Sequence, residues 1–215
     1  MASLFARQLS KLRLALLGAV LISCIAACSG TPPQATKVTH AQGVPAGYSE
    51  FQDSARGYSL ALPSSWTQIN VQTPGAAAVF NAIVKKDPKF EAEFGDNLAA
   101  MAKENMSLLA IGPGGENANM VVTSAGGTYT SAQLASVYPV LASNYKRLGM
   151  DVQAHSLIRV DGYAALRVQL IVALDGIRLP ETQFVLEVHS WAYVLTVTKT
   201  PAATTSEIIG TLRLH

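Results

Sequence analysis

The chain has 215 residues, of which 49% are hydrophobic and 14% are charged, and its formal net charge is +2. This length suffices for one domain with a hydrophobic core of its own. The charge is too small to favour nucleic acid as a partner or a polybasic membrane-binding face, because both need an excess of Lys and Arg.

The first 27 residues have the composition of a secretory signal peptide, with a short basic segment, an apolar core that begins at Leu14, and small residues before a cleavage site. Ile25-Ala26-Ala27-Cys28 resembles a bacterial lipobox, which directs the attachment of a lipid to its cysteine. We therefore predict that Cys28 is the lipid-attachment site and the first residue of the mature protein. Cleavage removes every basic residue of the signal, and the remaining chain then has one more acidic than basic residue.

Two alternatives stay open at this end of the chain. Leu21-Ile22-Ser23-Cys24 also fits the lipobox, but two alanines precede Cys28 and a polar segment follows it. The other alternative is an ordinary secretory peptide cut nearby, or an uncleaved anchor, although the apolar stretch is short for a membrane span. If Cys28 carries the lipid, Cys24 is discarded and no thiol is left for a disulfide or a cysteine-based metal site.

Residues 28–47 are rich in Pro, Gly, Thr and Ala, which predicts a flexible tether. The remaining residues, 48–215, are predicted to form a single domain. Its first elements are the two strands of a hairpin, 48–51 and 58–62, after which Trp66 is expected to fold back onto the sheet edge or the core.

Two helices are predicted next, over residues 75–86 and from Asp87 to about Met106. Asp87 suits the N-cap of the second helix and Pro88 its first helical position. The predicted apolar faces consist of Val79, Phe80, Ile83 and Val84 in the first helix, and of Phe90, Phe94, Leu98 and Met101 in the second.

Strands are predicted over residues 108–111 and 119–124, joined by a turn at Gly112–Gly115. This glycine cluster does not match a phosphate-binding loop, because it lacks the Lys-Ser/Thr pair and leads into a strand rather than a helix.

The clearest helix is predicted over residues 130–148. Thr130 and Gln133 match a capping box, Gly149 suits the helix end, and Pro139 is expected to kink the helix. The predicted apolar stripe consists of Leu134, Val137, Tyr138, Leu141, Tyr145 and Leu148.

Period-two alternation predicts strands over residues 152–160, 163–174 and 182–198, with a turn at Asp161-Gly162 after the first. Pairing the last two strands around Arg178 opposes apolar residues on one face and polar residues on the other. The pairs in that register are Leu170 with Leu186, Val168 with Val188, Gln169 with Glu187, and Arg167 with His189.

The final predicted element is a helix over residues 204–214, with Thr204 and Glu207 as a second capping box and an apolar stripe of Ile208, Ile209 and Leu212. The elements follow in the order of two strands, helices, two strands, a helix, three strands and a helix. This order predicts an α+β fold, in which helices cover the faces of a mainly antiparallel sheet of about six or seven strands.

The segment Arg56–Trp66, RGYSLALPSSW, resembles the opening GYSL-x-x-P-x-x-W hairpin of the PsbP-like proteins, a superfamily that includes the Ran-binding Mog-type proteins and many bacterial lipoproteins. The last strand, with Trp191–Thr198, and the short helix after it are similar too. The resemblance covers roughly Tyr48 to His215 and implies an α/β/α sandwich. The lipobox and the alanine-rich composition also resemble actinobacterial lipoproteins of the LpqN-like group. These motifs are structural, so they imply no catalytic residues.

One constellation of polar side chains stands out, and it depends on the predicted register. Arg167, Gln169, Glu187 and His189 share one face of the predicted sheet, with Trp191 next along it. One interpretation is a polar patch flanked by aromatic rings that binds a small ligand or a sugar. The other is a set of cross-strand salt bridges on a half-exposed sheet.

The four His residues are scattered, and the sequence contains no G-x-S-x-G, HxH or HExxH motif. We therefore predict no catalytic residues, no metal site and no cofactor. The first functional hypothesis is a non-enzymatic binding or scaffolding protein, held by its lipid on the extracytoplasmic face of the cell membrane, with an envelope protein as partner. The alternative is an envelope carrier of an apolar ligand, or an envelope enzyme, with a pocket between sheet and helices.

Overall fold

The computed structural model describes residues 36–37, 43–86, 98–174 and 177–215. The strands within these ranges are β1 (Thr36–Lys37), β2 (Tyr48–Asp53), β3 (Tyr58–Pro63), β4 (Thr67–Asn70), β5 (Met106–Ile111), β6 (Asn117–Ser124), β7 (Asp151–Val160), β8 (Tyr163–Leu174), β9 (Ile177–Val188), β10 (Trp191–Thr198) and β11 (Arg213–Leu214). The helices are α1 (Ala76–Lys86), α2 (Leu98–Lys103), α3 (Ser131–Arg147) and α4 (Ala202–Thr211).

The strands form a large main sheet and a small second sheet. The main sheet has the order β1-β7-β8-β9-β10-β6-β5-β4, and the small sheet has the order β11-β3-β2. Strands β4 to β10 pair in antiparallel fashion, whereas the short β1 is parallel to β7. The predicted α+β fold around a mainly antiparallel sheet is confirmed. The opening hairpin, however, belongs to the small sheet.

Alternation along the strands gives the main sheet two buried faces. The hairpin-side face, which includes Phe184, Leu186 and Leu195, packs against the small sheet and α4. The helix-side face, which includes Val185 and Val194, packs against α1, α2 and α3. Full burial of one large apolar side chain is worth about 1.5–3 kcal/mol, so these two cores are the main source of stability.

The predicted hairpin is confirmed as β2 and β3, and the turn between them explains the Gly and Tyr of the GYSL motif. Gly57 has a positive φ of 66°, and its carbonyl oxygen accepts a hydrogen bond from the N–H of His215 at 2.8 Å. Tyr58 is completely buried on the hairpin-side face, and its hydroxyl is hydrogen-bonded to the hydroxyl of Ser107 in the main sheet. Gly57 therefore joins the hairpin turn to the end of the chain, and Tyr58 fastens the small sheet to the main one.

We expect Gly57→Ala to lower the free energy of unfolding by about 1–2 kcal/mol, the usual cost of a left-handed backbone for a residue with a Cβ. The added Cβ would also lie 2.9 Å from the carbonyl oxygen of His215, which is backbone and cannot rotate away. Urea unfolding measures the loss. Gly126→Ala is the matched control, because no atom lies within 4 Å of its added Cβ. Equal stability of both variants would contradict this role for Gly57.

The first predicted helix is confirmed as α1, but its apolar face is only partly as expected. Phe80 is buried, whereas Val79 is 42% exposed and therefore does not belong to the face that packs on the sheet. The side chains of Ile83 and Val84 lie outside the described residues, as do residues 87–97, which contain the predicted Asp87-Pro88 start and both Phe90 and Phe94.

The second predicted helix extends too far at its C-terminal end. Helix α2 ends at Lys103, and Met106 is the first residue of β5. Asn105 lies between them with a φ of 60°, a left-handed conformation that Asn adopts more readily than most residues and that ends a helix.

The predicted strands at 108–111 and 119–124 are confirmed as β5 and β6, which both begin two residues earlier. A further strand, β4, was not predicted; it pairs with β5 at the edge of the main sheet. Trp66, just before β4, is buried in the hairpin-side core, as expected.

Helix α3 confirms the clearest prediction. The hydroxyl of Thr130 accepts the N–H of Gln133, and the Gln133 side chain accepts the N–H of Thr130, so the capping box is complete. Pro139 lies within the helix, and the predicted kink stays a prediction. Leu134, Val137, Leu141 and Tyr145 are buried, and Tyr138 and Leu148 are partly buried against the same core.

The predicted strand over residues 182–198 is wrong, because the chain reverses within it. His189 and Ser190 have φ values of 51° and 69° and form a two-residue turn between β9 and β10. The predicted register of β8 and β9 is wrong as well, since Arg167 lies opposite Phe184 and Gln169 opposite Thr182. The register differs by an odd number of residues, which moves each β9 side chain to the other face.

The predicted C-terminal helix begins and ends earlier than expected. Helix α4 starts after Pro201, whose fixed φ suits a helix start, and Thr204 and Glu207 lie inside the helix, so the second capping box is wrong. The predicted stripe of Ile208, Ile209 and Leu212 is buried, as expected. The chain leaves the helix at Leu212 and adds β11 to the small sheet.

Candidate functional site

The structure does not assemble the predicted polar patch. Arg167 and Gln169 lie on β8 in line with the hairpin-side face, where the Nε of Arg167 donates to the hydroxyl of Ser156 at 3.1 Å and Gln169 is exposed. Glu187 lies on the helix-side face, because it alternates with Leu186 and Val188 of the hairpin-side core. The patch was predicted from the incorrect register.

The two remaining patch residues lie at the turn between β9 and β10. The imidazole of His189 is exposed and lies edge-on to the ring of Tyr163, with its Nε2 3.0 Å from the Tyr163 hydroxyl. Trp191 is partly buried against the hairpin-side core. His189 and Trp191 are therefore close in sequence but do not share a site with Arg167 or Glu187. Cys28 lies outside the described residues, and its lipidation stays a prediction.

A different group of polar side chains meets on the helix-side face, between α3 and strands β9 and β10. The hydroxyl of Tyr145 donates to Oε1 of Gln183 at 2.6 Å, and Nε2 of Gln183 donates to Oε1 of Glu181 at 2.8 Å. Thr198 donates to the other oxygen of Glu181 at 3.4 Å. We call Tyr145, Glu181, Gln183 and Thr198 the polar chain.

The carboxyl group of Glu181 is the acceptor at the end of the polar chain. Desolvation raises its pKa to about 6, and the hydrogen bonds from Gln183 and Thr198 oppose that rise because they stabilise the charged form. The hydroxyl of Tyr145, which donates at the other end, has its pKa raised mainly by burial. The polar chain is therefore satisfied internally and fastens α3 to β9.

Glu187 is the most unusual polar residue of this face. The residue is only 1% exposed, and within the described part of the chain its Oε2 has no hydrogen-bond partner. Burial raises its pKa to about 7. A buried oxygen without a donor typically costs about 1–3 kcal/mol, and more if it is charged. Protonation of Glu187, or a hydrogen bond from another molecule, would remove this cost.

The segment before α3 lies over the end of β9 next to Glu187. The N–H of Tyr129 donates to the carbonyl of Glu187 at 2.9 Å, and the N–H of His189 donates to the hydroxyl of Thr128 at 3.2 Å. The N–H of Ala125 donates to the carbonyl of Ser190 at 2.8 Å. Three hydrogen bonds thus hold this segment against the β9–β10 turn, at the N-terminal end of α3.

A second buried acceptor without a partner lies on β6. It is Oδ1 of Asn119, whose residue pairs with Thr196 of β10 on the helix-side face. Glu187 and Asn119 were not recognised together from sequence, because each is one polar residue within an apolar strand. A polar residue that interrupts an apolar strand is visible in the sequence. Only the register of strand pairing shows which face of the sheet that residue occupies.

Within the described ranges, no three His, Cys, Asp or Glu side chains are grouped so that they could hold a metal ion. No helix in the described part of the chain is long and apolar enough to cross a bilayer.

Comparison with known proteins agrees with the fold. A sequence model of the PsbP family matches residues 46–153, just over half of the chain. The cyanobacterial PsbP (CyanoP) from Synechocystis sp. PCC 6803, known from its solution structure, aligns with a TM-score of 0.51 and 9% identity, over 89% of this chain and 99% of that one. This match establishes the fold alone, and it confirms the PsbP-like architecture expected from the sequence.

Two other solved structures align with lower TM-scores. LpqN of Mycobacterium tuberculosis, described as involved in cell envelope biogenesis, has a TM-score of 0.46 and 12% identity, over 78% of this chain and 91% of that one. A protein of Bacteroides thetaiotaomicron has a TM-score of 0.46 and 14% identity, over 77% of this chain and 48% of that one. No curated protein matches this chain significantly by sequence.

Proposed function

We propose that this chain, which belongs to the PsbP family, is a lipid-anchored binding or scaffolding module of the cell envelope without catalytic activity of its own. The observation that supports the proposal is Ile25-Ala26-Ala27-Cys28, a lipobox-like segment whose cysteine lies twenty residues before β2, the first strand of the hairpin. In this proposal residues 1–27 are removed, Cys28 carries the lipid, and the domain stands on the extracytoplasmic face of the cell membrane.

Tyr58 of the family motif has a structural role in this domain. Tyr58 and Ser107 are buried and hydrogen-bonded to each other, and the hydroxyl of Tyr193 donates to the carbonyl of Arg56 at 2.9 Å. These hydroxyls hold the two sheets together instead of facing a substrate. We expect the partner to be another envelope protein rather than nucleic acid, since the mature chain is close to neutral.

A second candidate function is the carriage of a small ligand between the main sheet and α3. The unpaired buried oxygens of Glu187 and Asn119 favour it, because both are acceptors and would be satisfied by hydroxyl or amine donors of a ligand. Such a ligand would be amphiphilic, with an apolar part against Val185 and Val194. Native mass spectrometry of the membrane-extracted protein distinguishes the two functions: a stoichiometric small ligand supports carriage, and its absence together with a co-extracted protein supports scaffolding.

Metabolic labelling with an alkyne fatty acid tests the lipid anchor. We expect the wild-type protein and Cys24→Ala to take up the label, because Cys24 is removed with the signal. Cys28→Ala should remain unlabelled and migrate as the larger uncleaved precursor. Label on Cys28→Ala would overturn the proposed site, and loss of label from Cys24→Ala alone would transfer the site to Cys24.

A further inference from the structure

The short strand β1 lies within the segment that the sequence predicts to be a free tether. Its two residues pair in parallel with the C-terminal end of β7, Thr36 with Ile158 and Lys37 with Arg159. β7 is otherwise the edge of the main sheet on this side. The chain thus meets the domain at β1, before it enters the hairpin at Tyr48.

We propose that the pairing of β1 with β7 clips the tether to the domain, so that the β7 edge is the part of the molecule held against the phospholipid headgroups. This inference rests on the proposed function, because it takes Cys28 as the point of attachment to the bilayer. It adds to that function an orientation and a membrane-facing surface.

The number of residues between Cys28 and β1 supports this proposal. Eight residue steps separate Cys28 from Thr36, and an extended chain covers at most about 3.6 Å per step, so Thr36 lies within roughly 30 Å of the lipid. A free tether would allow twenty steps to Tyr48, or roughly 70 Å. The clip therefore shortens the reach between the lipid and the domain by more than half, and it makes the β7 edge the point where the domain is attached.

The side chains of the β7 edge fit a headgroup surface. Asp151, Gln153, His155 and Arg159 are exposed and polar. Asp151, which forms a salt bridge with Arg178, and Arg159 give this edge charges of both signs, as zwitterionic headgroups have. The ring of Tyr138 stacks on His155 with 3.6 Å between centroids. Such a surface suits contact with the polar layer rather than insertion into hydrocarbon, where charged groups are costly.

Cysteine pairing in the full-length lipidated protein tests the clip. The lipid occupies Cys28 and Cys24 is removed, so Lys37→Cys with Arg159→Cys introduces the two free thiols of the mature chain. Paired residues of neighbouring strands lie about 5 Å apart at Cα, within the range of a disulfide. We expect this pair to oxidise readily, whereas Lys37→Cys with Thr67→Cys, on β4 at the far edge of the sheet, should not. Equal oxidation of both pairs, or of neither, would overturn the clip.

The orientation is tested by quenching in phosphatidylcholine vesicles that contain a headgroup-labelled nitroxide lipid. A fluorophore on Gln153→Cys should be quenched more strongly than one on Thr67→Cys, and equal quenching would overturn the membrane-facing surface. The intact mass of each preparation reports the lipid separately. If the lipid is absent, the proposed function fails; if the lipid is present but the β7 pair does not form, only the clip fails.

Discussion

Glu187→Gln is expected to raise the free energy of unfolding at pH 8, by at most about 3 kcal/mol. Glu187 is 1% exposed, its Oε2 has no hydrogen-bond partner among the described residues, and burial raises its pKa to about 7 from an ordinary value of 4.5. At pH 8 the folded protein must therefore hold a buried charge without a donor. Glutamine has nearly the same shape and no charge to bury.

The stabilisation by Glu187→Gln is expected to depend on pH, because the carboxyl group loses its proton at a different pH in the folded and unfolded states. The folded state retains the Glu187 proton up to about pH 7, whereas the unfolded chain releases it near pH 4.5, so stability falls as the pH rises through that interval. Above the pKa of Glu187 in the folded state, the loss of stability caused by its buried charge is complete and no longer changes with pH. Glu181, whose pKa is raised to about 6, adds a smaller change of the same sign. The stabilisation by Glu187→Gln should thus be large at pH 8 and nearly absent at pH 4.5.

Urea unfolding at several pH values measures the effect. Glu50→Gln is the matched control, because Glu50 lies on β2 with its side chain exposed and should give the wild-type pH profile. If Glu187→Gln follows the wild-type profile between pH 4.5 and 8, the carboxyl group is hydrated and the buried-acid assignment is wrong.

Tyr58→Ala should cost about 3–5 kcal/mol of folding free energy, the usual loss when a fully buried aromatic ring is removed from a core. The ring has no exposed surface and lies edge-on to Tyr193, with 6.0 Å between centroids. It joins the small sheet to the hairpin-side face of the main one. In a domain whose total stability is about 5–15 kcal/mol, this change removes a large part of it.

Tyr58→Phe separates packing from hydrogen bonding at the same position. It keeps the ring and removes only the hydrogen bond to Ser107, so the expected loss is about 1 kcal/mol. Ser107→Ala should cost a similar amount, and the double variant should lose less than the sum of the two because they share that bond. A Tyr58→Ala variant as stable as Tyr58→Phe would show that the ring does not connect the sheets.

Local signals in the sequence were sufficient for several elements. Helix α3 was predicted because its capping box and its apolar stripe are both encoded within one segment. The turn at Asp161-Gly162 was predicted because Asp-Gly is a common type I′ sequence, and the two residues do have φ values of 50° and 84°.

The turn at His189-Ser190 could not be predicted from local sequence. It has the same positive φ values, but neither residue is Gly, Asn or Asp, so nothing local marks the reversal. The long-range packing of β9 and β10 imposes it. The wrong register has a separate source: the prediction centres the reversal between β8 and β9 on Arg178, whereas Leu174 pairs with Ile177. That shift placed Glu187 on a face with Arg167.

The candidate site was unpredictable for the same reason. A carboxylate within an apolar strand is exposed or buried according to its face, and the face follows from pairing with residues far away in sequence. The segment that resembles a lipobox, in contrast, is a contiguous pattern and needs no tertiary context. The proposed anchor thus comes from sequence alone, and the unpaired acid from structure alone.

The intact mass of the protein, extracted in detergent from its native membranes, tests the lipid anchor most directly. We predict a chain that begins at Cys28 and carries the added mass of a lipid with acyl chains. An unmodified chain, or one that retains residues 1–27, would contradict lipid anchoring at Cys28.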